Sequence, residues 1–526
     1  MPGSPNDGGR APLTIDLTAA LGLVLLTLIV RLSGLGPDGF HPDDAWIATA
    51  VGHAGSVQEL IKLGFSHPGY NTLVRLIVGN DGSGVGDYQV VAFVAGLLSV
   101  PAFYALIVRT SGSRLLAMAI GLTVALAPLH FRFSAAVKPY TLEMLVTCLA
   151  LLYIARPRQW SWRAIAVWLL LFMPVVTLGI HNALLSLAVT LGLFWSRAID
   201  LRKTLVLLVG QAVMLGPWVL WVQSGYDSER LQEWWLGSDD GFIDQGLNTP
   251  VDTMVHLRRA VRSLVDAPSV LAWILTAAVI VGCVLAVRLR EPVISAATFC
   301  VLIAIGGGVT HTVPFGPLYI NSTRLDMWLA PAFAVLAISG PVLLLRGRFS
   351  DAGVAADADA AAGGLGGRTS RGLLVAICAL LVAGAAYTIV RPPDPYPSRN
   401  ANTQLAAARS VVEARGPRAI LIGRNAAPFF VANQYPELID DVASDATSPR
   451  GLVVHIKPGV YRSVTTALNN PEDLDRFTTI VTLKLDLRWG DAQTDELDTL
   501  LKRRGFRREH APQWELIEVW SKGTNE

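Results

Sequence analysis

Long apolar stretches separated by short polar turns fill the first three quarters of the chain, and short alternating runs take over in the last quarter. Lipid gives the backbone no hydrogen-bond partners, and a helix needs roughly 20 apolar residues to cross a hydrocarbon core about 30 Å thick. Each long run therefore predicts a membrane-spanning helix. About eleven such runs are present, near residues 12–34, 88–108, 114–129, 139–155, 163–179, 182–196, 203–223, 268–287, 292–312, 324–345 and 371–390.

After the last run, "RPPDPYPSRN" favours an extended linker and starts a different kind of pattern. "RAILIG" at 418–423, "GLVVHI" at 451–456, "FTTIVTLKL" at 477–485 and "WELIEVW" at 514–520 read as strands, alternating with helical stretches at 401–414 and 491–504. The predicted organisation is a transmembrane domain over 1–390 and a soluble α/β domain over 391–526. Within the first, residues 346–371 contain an Ala/Gly-rich stretch that predicts a flexible loop. "GSGVGD" at 82–87 imitates a phosphate-cradling loop, but no strand leads into it.

Composition agrees with a polytopic membrane protein: of 526 residues, 52% are hydrophobic and 16% charged. The net charge of +2 gives no reason to expect a nucleic-acid partner. Arginine and lysine recur in alternate loops, at Arg109 and Arg114, Arg156 to Arg163, Arg197 to Lys203, Arg288 and Arg290, and Arg346 to Arg371. The positive-inside rule makes that side cytoplasmic. The loop 35–87, the loop 224–267 and everything after Val390 then face outward from the cell membrane. The first span reads as retained, since Arg31 follows it without a small-residue cleavage pattern. Cys148, Cys283, Cys300 and Cys378 fall inside predicted spans and read as packing residues.

The polar residues then sort by side. All nine histidines fall in outward loops, at outer helix ends or in the tail. Longer outer loops account for part of this, and an outward-facing polar cavity accounts for the rest. Lys138 opposes the positive-inside trend; it reads either as an interfacial lysine or, with His130 and Arg132 nearby, as part of an anion site. Arg324 starts a span from the same side. "GFHPDDAW" places Asp43 and Asp44 soon after the first span, where ionised groups are costly unless solvated or paired. Cations stabilise charge growing on a departing phosphate, and a carboxylate can deprotonate an incoming hydroxyl. That combination suits group transfer from a lipid phosphate.

"HPDDAW", "SHPGYNTL", "FSAAVKPYTLEML" and "TRLDMWLAPAFAVL" come in an order and on a side that resemble the GT-C membrane glycosyltransferases, in the branch of protein O-mannosyltransferases and lipid A aminoarabinose transferases. The resemblance covers roughly residues 12–345. It implies a GT-C-like bundle with interfacial helices at 47–63 and 68–79, and an inverting transfer from a polyprenyl-phosphate sugar. It implies Asp43 as catalytic base and Asp44 as supporting carboxylate. By the resemblance Lys138 and Arg324 would bind donor phosphate and His67 and Tyr140 would line the substrate site; the placing of polar residues on the outer side adds His130 and Arg132 to the phosphate candidates and His311 to the substrate-binding ones. The sequence departs from the family pattern at Asp44, where Glu is commoner, at Lys138, where arginine is frequent, and at Gly69, where a second proline is common.

The resulting expectation is a cell-membrane glycosyltransferase using no required cofactor, with a divalent metal on the acidic pair as a minor alternative. Asp239, Asp240 and Asp244 read as a solvated loop rather than further ligands. The acceptor would be a glycan, a lipid or a protein, in cell-envelope synthesis. A secondary transporter would place its ions near the bilayer midplane and commonly show repeats, neither of which is visible here. A non-catalytic scaffold presenting the tail would leave the acidic pair unexplained.

Overall fold

The computed structural model describes residues 10–32, 42–56, 58–60, 67–79, 85–155, 160–224, 241–265, 268–317, 322–338, 401–423, 427–444, 452–456, 461–483, 491–509 and 517–522. The described part of every apolar run from 12–34 to 324–345 falls on helix, and the run at 371–390 lies outside the described residues. The helices are α1 (Arg10–Leu32), α2 (Pro42–His53), α3 (Pro68–Val78), α4 (Val85–Ser111), α5 (Arg114–Leu126), α6 (Pro128–Ser134) and α7 (Tyr140–Ile154). They continue with α8 (Trp162–Thr177), α9 (His181–Trp195), α10 (Leu201–Ser224), α11 (Thr249–Val265), α12 (Ser269–Leu289) and α13 (Pro292–Val309). A 3₁₀ helix, Ser322–Leu329, runs on as α-helix over 330–338, and the two together are α14.

Local chemistry fixes several starts. Ser113 and Ser161 each accept a backbone N–H of the following turn, and Glu291 accepts those of Val293 and Ile294. Proline opens α2, α3, α6 and α13, where its missing N–H costs nothing. Among the described residues, Gly86–Ser111, Ser269–Leu289 and Pro292–Val309 are each long and apolar enough to cross a bilayer. α5 and α6 meet at 57° across the Ala127–Pro128 break and make a fourth if they form one span. α7 and α9, at 15 residues each, reach only about 22 Å at 1.5 Å per residue, short of the roughly 30 Å core. The count of eleven spans therefore stays an expectation.

The sequence expectation did not include every described helix. The stretch read as a loop over 224–267 contains α11, whose Leu257, Ala260 and Val261 are buried while Arg258, Arg259 and Arg262 break the apolar run. A search for long apolar segments passes over such an amphipathic helix.

Within the bundle, α4 packs on α1, α5 and α7, and α9 packs on α13. At one end of α1, Asp16 binds Arg114 at 2.6 Å and accepts the Tyr104 hydroxyl at 2.9 Å, tying α1 to α4 and α5. Arg31 stands at the other end of α1, about 22 Å away along the helix.

The tail is an α/β domain. Its strands are β1 (Ala419–Gly423), β2 (Ile439–Ser444), β3 (Leu452–Ile456), β4 (Tyr461–Ser463), β5 (Thr479–Leu483), β6 (Phe506–Glu509) and β7 (Ile517–Lys522). Five form a mixed sheet in the order β4-β1-β5-β7-β6, with β1 parallel to β4 and β5; β2 and β3 pair separately. Helices α15 (Ala401–Arg415), α16 (Ala427–Gln434), α17 (Val464–Asn469) and α18 (Asp491–Arg503) complete it. Alternate strand residues enter different cores. Ile420, Ile422, Ile480 and Trp520 join Leu497 and Leu501 of α18. Leu421, Val481 and Val519 join Leu405 of α15 and Phe429 of α16. Both faces are covered, which is why β1 and β5 are buried along their whole length.

That second core does not end at the tail. It continues into α2, whose Ala45, Ile47, Ala48, Ala50 and Val51 are all buried. α16 lies against α2, and the Thr49 hydroxyl is 3.3 Å from the Phe429 carbonyl that accepts from it.

Candidate functional site

α2 carries the acidic pair in its first turn, where unsatisfied backbone N–H groups and the helix dipole favour negative charge. The Asp44 side chain is 4% exposed. Asp43 belongs to the same turn, and its side chain lies outside the described set. The far end of α2 is held by Arg75 of α3, which donates to the carbonyls of Val51 at 2.8 Å and Ala54 at 2.9 Å. A cation on the last carbonyls of a helix is favourably placed. α3 is also pinned against α8: a Cβ at Gly69 would collide with Thr177, which explains why a small residue stands there.

Lys138 arrives from the other side, on the turn between α6 and α7. It is 6% exposed, and its ammonium sits 4.9 Å from the centre of the Trp46 ring. A cation over an indole face is attracted by the ring quadrupole, more so when desolvated. The Trp46 ring thus joins Lys138 to the helix bearing the carboxylates.

His67, at the N-cap of α3, stands near both. Burial pushes its imidazole down to about 3, helped by the charges of Lys138 and His181, so it is neutral at physiological pH. Tyr70, one turn on, is fully buried, and burial raises its phenol well above the usual range, with Asp44 and Tyr140 adding to the effect. Three buried polar atoms here have no hydrogen-bond partner among the described residues: Trp46 Nε1, His67 Nδ1 and the Tyr70 hydroxyl. Buried polar groups are normally satisfied, so three such atoms on α2 and the start of α3 stand out among the described residues.

Tyr140 opens α7 and makes an edge contact with Phe133, with ring centres 5.4 Å apart. One turn further, Glu143 receives the His181 imidazole at 2.9 Å and its backbone N–H at 3.3 Å. Both are buried, and the His181 ring stacks on Trp328, with centres 5.8 Å apart. Asp326, also buried, accepts the Gly316 N–H at 3.0 Å. Glu143, His181 and Asp326 were not singled out from the sequence as site residues. Their pairing spans three helices, and the signal available was a glutamate four residues into an apolar run.

The other sequence candidates are placed differently. His130 is buried on α6, with Nε2 at 2.9 Å from Ser99 and Nδ1 bonded to Arg31. Arg132 is half-buried on the same helix. His311 adopts a left-handed backbone at φ 55°; its ring stacks on Phe242 and its Nε2 approaches the Ile243 carbonyl at 3.3 Å. Arg324 lies in the 3₁₀ turn of α14, and its side chain is outside the described set. Asp239 and Asp240 are likewise outside it, while Asp244 is exposed and its N–H donates to Asp252. Among the described residues, no three His, Cys, Asp or Glu side chains gather closely enough to hold a metal ion.

No protein family matches the chain, and no curated protein does. Solved structures do. The chain aligns with the crystal structure of ArnT from Cupriavidus metallidurans in the apo state over 96% of this chain and 98% of that one, at 14% identity and a TM-score of 0.51. The same protein bound to undecaprenyl phosphate aligns over 98% and 99%, at 13% identity and a TM-score of 0.46. From its helical bundle to its α/β tail, the chain shares the fold of ArnT, a lipid A aminoarabinose transferase of the GT-C type.

Proposed function

We propose that this protein is an inverting glycosyltransferase of the cell membrane, moving one sugar from a polyprenyl-phosphate donor to a hydroxyl acceptor on the outer face. The observation that carries it is the cation of Lys138 over Trp46, on the helix of buried Asp44, together with polar atoms of Trp46, His67 and Tyr70 that are buried without a partner among the described residues. The ArnT fold and the four sequence motifs support the same reading.

The chemistry is a single displacement. The acceptor oxygen bonds to the anomeric carbon as the bond from that carbon to the phosphate oxygen breaks, and polyprenyl phosphate leaves with the electron pair. Asp43 takes the hydroxyl proton, and Asp44 positions the acceptor. Lys138 and Arg324 stabilise the charge on the departing phosphate, in a site where burial strengthens electrostatics. The neutral imidazole of His67 adds a hydrogen-bonding group without opposing the bound anion. No cofactor is required.

The test is transfer by purified protein in nanodiscs, from a panel of radiolabelled polyprenyl-phosphate sugars to a membrane extract. Asp43→Asn should lower the rate by about a hundredfold or more while leaving the protein folded, since a general base contributes typically 10² to 10⁴. Full activity in that variant removes the mechanism, and the active donor identifies the sugar.

A further inference from the structure

Arg31 is the most deeply buried cation described in the bundle, at 1% exposure, and it does not lie in the Lys138 cluster. It sits where α1 meets α4 and α6. Its Nη1 donates to the Ser134 hydroxyl and its Nη2 to His130 Nδ1, both neutral partners. Even the second bond is contested, because His130 Nδ1 also lies 2.9 Å from the Val124 carbonyl and can face only one of them in the right protonation state. Arg31 Nε has no hydrogen-bond partner among the described residues. Among the described residues no carboxylate pairs with this guanidinium.

A buried cation held only by neutral groups is expensive, because desolvation is not repaid by an opposite charge. The sequence nevertheless makes room for it. A Cβ at Gly96 of α4 would collide with both the guanidinium and the Ser134 hydroxyl. Ser99, one turn on, donates to the Gly96 carbonyl at 2.8 Å and stands 2.9 Å from His130 Nε2, fixing the imidazole beside the guanidinium. These are hydrogen-bonding groups of the kind that surround a phosphate.

We propose that Arg31, Ser134, His130 and Ser99 form a second anion-binding subsite, for a phosphate group, beside the one centred on Lys138. Ser134 and Lys138 are four residues apart, so at most about 14 Å of chain separates them. Arg31 therefore meets the same short stretch of chain, from Ser134 to Lys138, that carries the cation of the first subsite. An incoming phosphate replaces Ser134 and His130 as acceptor for the guanidinium fork. Because Arg31 is enclosed, entry requires the short helix α6 or the turn after it to shift. The assignment rests on the glycosyltransferase reading for the lipid source of the phosphate, and not for the presence of an anion.

The experiment measures equilibrium binding of undecaprenyl phosphate, of the neutral alcohol undecaprenol and of inorganic phosphate to the full-length protein in nanodiscs, with thermal stability recorded in parallel. Arg31→Met should weaken undecaprenyl phosphate by about tenfold or more, the scale of one charged hydrogen-bonding group. It should leave undecaprenol unchanged, and it should leave the thermal midpoint of the unliganded protein equal or higher, because an uncompensated charge is gone. Arg31→Lys, which keeps the charge but not the fork, should fall between. Competition by inorganic phosphate that vanishes in Arg31→Met with no effect on the lipid identifies a free-phosphate site. Wild-type affinity for both phosphates in Arg31→Met and Arg31→Lys overturns the proposal, as does a lowered midpoint with unchanged binding, which makes Arg31 a structural tie. If the wild type binds inorganic phosphate through Arg31 but not the lipid, the glycosyltransferase reading fails and the anion subsite stands.

Discussion

His67 shows how a single residue acquires a property that its type does not have. An ordinary imidazole titrates near 6.5, and burial beside Lys138 and His181 brings this one down to about 3. Unfolding restores the ordinary value, so between those two pH values the unfolded chain binds the extra proton. The contribution of His67 to stability is therefore complete above pH 6.5 and is lost as the pH falls toward 3. The unfolding free energy of the wild type, read by denaturant titration, should fall on acidification from pH 7 to 4.5. In His67→Gln that slope should be shallower by up to about 1.4 kcal/mol per pH unit, the value of one proton. Parallel slopes in the two proteins would show that the imidazole is not held neutral by the fold. Asp44 and Lys138, a few residues from their helix ends, likewise take their meaning from burial.

At the scale of elements, the bundle depends on close approach at particular junctions. Gly179, between α8 and α9, lies against the Glu143 carboxylate of α7, and a Cβ there would collide with it. The glycine is what allows Glu143 to reach His181. Gly179→Ala should displace that carboxylate and destabilise the protein by about 1–3 kcal/mol, the usual result of overpacking a buried site. Denaturant unfolding in detergent would read the loss; no change would mean that Glu143 relaxes at no cost. The broken pair α5 and α6 belongs to the same scale. Pro128 removes a backbone donor, the chain turns by 57°, and the short α6 then delivers Ser134, His130 and the Lys138 turn to one end of the bundle.

The whole molecule is organised so that the tail closes over the helix bearing the acidic pair. α2 contributes to the same hydrophobic core as the tail sheet, and Phe429 of α16 is buried in it. The orientation of Asp43 and Asp44 is therefore tied to the tail's attachment. Phe429→Asp should loosen that attachment, cost about 3 kcal/mol or more by analogy with large losses of buried aromatic packing, and reduce sugar transfer along with stability. Transfer assays under conditions where the variant remains folded would separate the two effects. Unimpaired transfer there would mean that the tail does not position α2.

Much of the architecture was legible because local physics dictates it. The apolar runs had to be helices wherever they met lipid, and the β-rich segments at 418–423, 451–456, 477–485 and 514–520 fall on β1, β3, β5 and β7. The short strands β4 and β6 and the amphipathic α11 were not legible, since three or four residues carry little periodicity and α11 interrupts its apolar face with arginines. The motifs placed Asp44, Lys138, His67 and Tyr140 at one end of the bundle without showing which would touch.

By itself, then, the sequence determined which described apolar segments are helices, which segments of the tail are strands, and which polar residues stand near helix ends. Those properties depend on neighbours within a turn or two. Only the tertiary structure decided that Lys138 covers Trp46, that Glu143 holds His181, and that Arg31 meets Ser134, 103 positions away, with no carboxylate beside it among the described residues. Such pairings follow from how whole helices pack and from where glycine lets them approach, and no local pattern encodes them.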